Sequence, residues 1–118
     1  MEKISMMQGE IWHVNLTSTV GAEIKKKRPA VIINDDAIGV LPLRVIVPVT
    51  EWKDKFCGAV WMVKVEPNSD NNLEKPSAID CFQIRSVSTK RLLKKIGTVP
   101  TNTLNEIKIA VKAVIDAD

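Results

Sequence analysis

The chain has 118 residues, 45% of them apolar and 26% charged, and a formal net charge of +3. That length holds one core and excludes two, and the composition is globular rather than disordered. The slight basic excess permits an anionic partner without demanding one. No apolar run approaches the roughly 18 residues of a membrane span, and "MEKISMMQGEIW" lacks the apolar segment of a signal peptide. Cys57 and Cys81 match no metal or redox spacing. With His13 as the single histidine, they argue against a structural zinc site. The chain therefore reads as one cytoplasmic domain over residues 1–118, with residues 1–7 a flexible N-terminus and both thiols reduced.

Taken in chain order, "GEIWHVNL" alternates, with Trp12, Val14 and Leu16 on one face and Ile11, His13 and Asn15 on the other, which predicts a strand. In "VGAEIKKKRPAVIINDD" four cations, Lys25, Lys26, Lys27 and Arg28, run into Pro29 and a short apolar strand, "AVII". "NDDAIG" is turn chemistry and "LRVIVPVT" the return strand. Pro48 cannot donate to a ladder, so that end is expected at a sheet edge or a bulge. "AVWMVKVEP" predicts a strand, "NSDNNLEKPS" a polar loop, "AIDCFQIRSV" one further strand, "TKRLLKK" a helical turn and "IGTV" a closing strand. Trp12 and Trp61, within strands, are expected in the core.

The C-terminus changes period. Thr103 and Glu106 have capping-box spacing just after Pro100. Leu104, Ile107, Val111 and Val114 recur at helical intervals, with Lys108 and Lys112 on another face. The fold class is mainly β (α+β): a small, strongly curved antiparallel sheet or partial barrel with a C-terminal amphipathic helix.

If "AVII" and "LRVIVPVT" pair about a turn centred near Gly39, Arg28 falls opposite Thr50, each eleven positions away. A guanidinium matches phosphate oxygens with fixed charged donors, and a threonine hydroxyl adds a neutral one. Both suit the charge that builds on a pentacoordinate phosphorus. Taken alone, a charged run beside a strand is more often a solvated gatekeeper.

Three ordered blocks carry more weight. Gly9-Glu10-Ile11-Trp12 and Gly21-Ala22-Glu23 lead, through the basic run, to Arg28-Pro29; Pro48-Val49-Thr50 and Gln83-Ile84-Arg85 follow. Across nearly the whole chain this pattern resembles the MazF/PemK family of toxin–antitoxin ribonucleases. The resemblance implies an SH3-like or CcdB-like β-barrel with a C-terminal helix, usually a homodimer. It also implies a toxin that cuts single-stranded RNA at short sequences without metal or cofactor, inhibiting translation and growth. The cut proceeds by 2′-OH attack to a 2′,3′-cyclic phosphate and a 5′-OH, and a cognate antitoxin blocks it. The family's catalytic Arg and Thr fall on Arg28 and Thr50, and Glu23 matches a substrate-contacting position.

RNA contacts are expected from Glu23, from Lys25, Lys26 and Lys27 as sequence-blind phosphate attraction, and from Trp52, Lys53 and Phe56 in "EWKDKFCG", where Trp52 and Phe56 are either base-stacking surfaces or part of a dimer interface. They are also expected from Asp80, Phe82 and Gln83 in "DCFQIR". Phe82 stands where some family members have an acidic base. Asp80, two residues earlier on the same predicted strand face, is either a substitute for it or a structural aspartate. Phe82 is either a base-stacking surface or core. His13, away from Arg28 in sequence, is read as structural. The antitoxin is expected to bring an acidic, partly disordered segment that covers Arg28. Two other functions stay open: a non-enzymatic, CcdB-like toxin that binds a protein, and an inactive SH3-like module.

Overall fold

The computed structural model describes residues 5–17, 20–24 and 26–118. Seven strands, β1 Glu10–Asn15, β2 Lys27–Ile32, β3 Leu43–Glu51, β4 Met62–Val65, β5 Ser77–Asp80, β6 Arg85–Ser88 and β7 Leu92–Thr98, precede one helix, α1 Thr101–Val114. The strands form one antiparallel sheet in the order β4-β5-β3-β2-β1-β7, with β6 also paired to β3.

The β2–β3 register is the one that symmetry about Gly39 predicts. Ala30 lies opposite Pro48, Val31 opposite Val47 and Ile32 opposite Ile46, so two further steps bring Arg28 opposite Thr50. Pro48 is not at a sheet edge, because β3 is a central strand. On the side away from β2, β6 pairs with β3 up to Ile46 and β5 pairs with it from Val49. Pro48 occupies the interval between those two ladders, where no partner is denied an N–H.

That interval exists because "AIDCFQIRSV" is not one strand. β5 ends at Asp80, whose carboxylate caps a 3₁₀ turn, Cys81–Gln83, by accepting from the Phe82 N–H at 3.1 Å. The apolar alternation runs through the break, so periodicity alone joins the two pieces. Asp80 and Phe82 accordingly do not share a strand face. "AVWMVKVEP" is likewise strand only over β4, and Trp61 lies outside it, 39% exposed rather than in the core. "TKRLLKK" is helical only at Thr89–Arg91, capped by the Ser88 hydroxyl, and the strand resumes at Leu92. Thr103 does not cap α1. Pro100, with φ −73°, starts the helix at Thr101, two residues earlier, and its carbonyl accepts from the Leu104 N–H.

Both faces of β1, β2 and β3 are buried, with successive residues going to opposite sides. On one face Trp12, Val14, Leu16, Ala30, Ile32 and Ile46 meet Val87 of β6 and Leu92 of β7. The strands β7-β1-β2-β3-β6 thus wrap into a barrel-like shell, although no ladder joins β6 to β7 among the described residues. On the other face Ile11, Val31, Val47 and Val49 pack against β4, β5 and the Ile107–Ala110 stripe of α1. Each such aliphatic side chain contributes about 1.5–3 kcal/mol through burial.

Of the predicted flexible N-terminus, residues 1–4 lie outside the described residues. Met6 and Met7 are tied down instead: the Arg44 guanidinium donates to the Met6 carbonyl at 3.0 Å, and the Met7 N–H donates to Glu10 at 2.9 Å. Glu10 also accepts from the Trp12 indole at 3.0 Å and pairs with Lys95 at 3.0 Å. Burial alone would raise the Glu10 carboxyl, but these partners outweigh it and hold it below its ordinary value. A carboxyl lowered on folding adds stability that is present above its unfolded value and lost as pH falls through the folded one. Glu10→Gln should therefore flatten the acid limb of stability below about pH 5, read by urea unfolding; an unchanged acid limb would contradict this.

The loop at residues 66–76 is built onto β7. Asn71, buried, accepts from the Asn68 and Leu73 N–H groups and donates to the Glu66 carbonyl. Asn72 donates to the Ile96 carbonyl, and the Thr98 N–H to that of Asp70. A Cβ at Gly97 would collide with the Asp70 carbonyl and stand 2.8 Å from that of Asn71. Gly97→Ala should cost about 1–3 kcal/mol in denaturant unfolding, whereas Leu93→Ala on the exposed side should cost under about 0.5 kcal/mol.

Candidate active site

Arg28 is the second residue of β2, solvent-exposed, and its guanidinium has neither a hydrogen-bond nor an ion-pair partner among the described residues. Thr50, half-buried, lies opposite Ala78 of β5, which lies opposite Lys64 of β4. The chain thus sets a row across four strands: Arg28, Thr50, Ala78, Lys64. At about 4.8 Å per strand its ends are about 14 Å apart. Lys64 holds its ammonium 4.9 Å from the centre of the Trp52 ring and 3.6 Å from Glu66. Strand alternation places Pro48 and Asp80 on the same face as this row.

Two concavities flank the Arg28–Thr50 strand ends. One, about 650 Å³, is lined by Glu23, Ile24, Pro48, Trp61, Asp80, Phe82, Gln83 and Arg85. The other, about 600 Å³, is bordered by Arg28 and Thr50 and lined by His13, Glu51, Lys75, Lys94 and Lys95. The predicted site residues therefore separate into groups: Arg28 with Thr50, and Glu23 with Asp80, Phe82 and Gln83. Trp52, Lys53 and Phe56 belong to neither cavity.

The basic run is also divided. Lys25 lies outside the described residues. Lys26 takes a left-handed backbone, φ 70°, and its carbonyl accepts from the Leu16 N–H at 2.8 Å. Lys27 opens β2 opposite Asn15 and, by alternation, faces away from Arg28. His13 is not remote from Arg28 once the sheet forms, for it sits opposite Pro29.

Asp80 and Gln83 do structural work. Asp80, only 6% exposed, uses one carboxylate oxygen to cap the Phe82 N–H and the other to accept from the Gln83 amide at 2.8 Å. The Gln83 carbonyl oxygen in turn accepts from the Ile24 N–H at 2.6 Å. This chain latches the loop between β1 and β2 over the first cavity. Glu23 accepts from the Val20 N–H at 2.9 Å within that loop. Cys81, buried beside Asp80, has its thiol pushed up to about 12, first by burial and then by the Asp80 charge, so it stays protonated.

Phe82 is 63% exposed, not core, and meets Trp61 edge to face at 6.2 Å. Trp52 and Phe56 form a second such pair at 5.9 Å, with Lys55 5.7 Å from the Phe56 ring. Each pair presents an aromatic surface of the kind on which single-stranded bases stack, and the Trp52–Phe56 pair has lysines beside it. As site residues, Trp61, Lys94 and Arg85 escaped the sequence reading. Lys94 lies opposite His13 in the β1–β7 ladder, but that register is interrupted between Ile11 and Trp12 and between His13 and Val14, so counting along the chain does not reach the pair. Among the described residues no three His, Cys, Asp or Glu side chains cluster as metal ligands, and no helix is long and apolar enough to cross a membrane.

Comparison with known proteins agrees with this architecture. A family model described as PemK-like, MazF-like toxin of type II toxin-antitoxin system matches residues 7–115. Endoribonuclease MazF9 of Mycobacterium tuberculosis (strain ATCC 25618 / H37Rv) is 31% identical over 117 residues, spanning 94% of this chain and 97% of the relative. Two solved structures share the fold. MazF (Form-I) from Deinococcus radiodurans has TM-score 0.76 and 21% identity, over 98% of this chain and 99% of that one. An endoribonuclease in complex with its cognate antitoxin from Mycobacterial species has TM-score 0.77 and 17% identity, over 97% and 98%. The chain belongs to the PemK-like, MazF-like toxin family of type II toxin–antitoxin systems.

Proposed function

We propose that this protein is an endoribonuclease toxin that acts in the cytoplasm as one domain per chain, paired as a homodimer, and cleaves single-stranded RNA without a metal. The observation that carries the reading is the unpaired Arg28 guanidinium opposite Thr50, at the end of a cation-bearing row, in a chain of this family. The ribose 2′-OH attacks the adjacent phosphorus and gives its proton to solvent water as the new P–O2′ bond forms; the P–O5′ bond breaks, the 5′-oxygen takes a proton from water and leaves as a 5′-OH, and a 2′,3′-cyclic phosphate remains. The nucleophile is already held inside the substrate, so positioning replaces much of what a metal would supply. DNA, lacking the 2′-OH, is not cut.

Arg28 clamps the phosphate and stabilises the charge that grows on its non-bridging oxygens, while the Thr50 hydroxyl orients one of them. A guanidinium donates hydrogen bonds to the departing oxygen without surrendering its proton. Phe82 cannot accept the 2′-OH proton, and both Asp80 oxygens are already engaged, so Asp80 acts by positioning. Phe82 with Trp61, and Trp52 with Phe56 and Lys53, supply stacking surfaces for bases. Lys25, Lys26 and Lys27 add salt-sensitive attraction to the backbone, and Glu23 faces the bound strand from the latched loop. A cognate antitoxin blocks the enzyme by laying an acidic, partly disordered segment over Arg28.

Incubated with long single-stranded RNA and a chelator, the protein should release cyclic-phosphate ends at a short repeated sequence. Arg28→Ala and Thr50→Ala should each slow this by about 100-fold or more. Uncut RNA, or equal cutting by Arg28→Ala, would contradict the reading and favour a toxin that binds a protein. Gln83→Ala should release the latch, seen as faster hydrogen exchange at the Ile24 amide together with slower cleavage. Unchanged exchange there would contradict the latch.

A further inference from the structure

We infer that the cavity beside His13 and Lys94 holds a second phosphate of the bound RNA, next to the one that is cut. The inference rests on the endoribonuclease reading and extends it to a site on the opposite face of the strands from the Arg28 side chain. In the β1–β7 ladder His13 stands directly opposite Lys94, and in the β1–β2 ladder it stands opposite Pro29, the residue after Arg28. Residues directly opposite in a ladder share a face, with Cβ atoms about 4.5–5.5 Å apart. An imidazole and an ammonium therefore project together into a concavity of about 600 Å³ whose border is Arg28 and Thr50.

Lys75 faces them from the loop that Asn72 ties to β7 through the Ile96 carbonyl. Among the described residues neither Lys94 nor Lys75 has an ion-pair partner, whereas Lys95 is tied to Glu10 at 3.0 Å. Glu51 and Glu74 also line the cavity, so its attraction for an anion rests on Lys75 and Lys94 standing together beside His13, with Arg28 at the border between the two faces. Val49, Leu73 and Ile96 give it an apolar floor, where a charged contact is screened less than at an open surface. Lys94 lies two strands from Arg28, about 10 Å. Continuity with the Arg28–Thr50 border identifies the ligand as the strand whose scissile phosphate Arg28 holds. Phosphate contacts of this kind fix register and carry no sequence preference.

The test is fluorescence anisotropy of a mixed-sequence 2′-O-methyl RNA oligonucleotide, which keeps its phosphates and cannot be cut, titrated over a range of salt. His13→Gln and Lys94→Ala should each weaken binding several-fold, and Lys94→Ala should lower the salt slope by about one. Lys108→Ala, on the exposed face of α1, should leave both unchanged. Wild-type affinity and slope in both cavity variants, with the wild-type protein still cutting RNA, would overturn this inference alone. Unchanged RNA affinity together with weakened antitoxin binding would overturn it in favour of an acidic peptide. Failure of the wild-type protein to bind or cut any RNA would remove the endoribonuclease reading as well.

Discussion

One strand carries three ladders, and the candidate site depends on it. Along one edge β3 pairs with β2; along the other it pairs first with β6 and then with β5. A central strand cannot serve two partners on one edge without a gap, and the gap falls at Pro48. Pro48 is a residue that a continuous ladder would not tolerate there. The Cys81–Gln83 turn crosses it, and one of the two cavities opens beside it. The same strand carries Thr50 to a position opposite Arg28. Register here is a consequence of burial on both faces: a slip by one residue would send Val47 and Val49 away from α1 and Ile46 out of the barrel-like shell.

Charge around the site is divided between structure and availability. Glu10 is held by Trp12, Met7 and Lys95; Asp80 by the Phe82 N–H and Gln83. These acids serve the fold and leave the exposed cations unneutralised. Arg28, Lys75 and Lys94 have no ion-pair partner among the described residues. Unpaired cations at a rim contribute little to stability, since an exposed pair is worth roughly 0–1 kcal/mol even when made. Their arrangement makes physical sense as attraction for a polyanion.

Much of this was legible before any coordinates. The β2–β3 hairpin could be centred on Gly39 because Asn34, Asp35, Asp36 and Gly39 mark a turn between two apolar runs, and pairing then follows by counting. The helix followed from its spacing. What could not be read was where alternation stops meaning a strand. Asp80 caps its own turn through a side chain, an event that leaves no trace in the apolar period, so β5 and β6 merged into one. The stretch "LLKK", Leu92 to Lys95, reads as helical because two leucines beside two lysines have no distinct strand period; pairing with β1 decides it. His13 seemed distant from Arg28 only because distance along the chain says nothing about neighbours across a ladder.

The central claim is that Arg28 and Thr50 act on one phosphate as a unit. The most direct measurement is a double-mutant cycle on the cleavage rate, with Arg28→Ala, Thr50→Val and the pair together. Groups that hold the same transition state should be strongly non-additive, the pair losing little more than Arg28→Ala alone. Losses that simply multiply would contradict the account and separate the two residues.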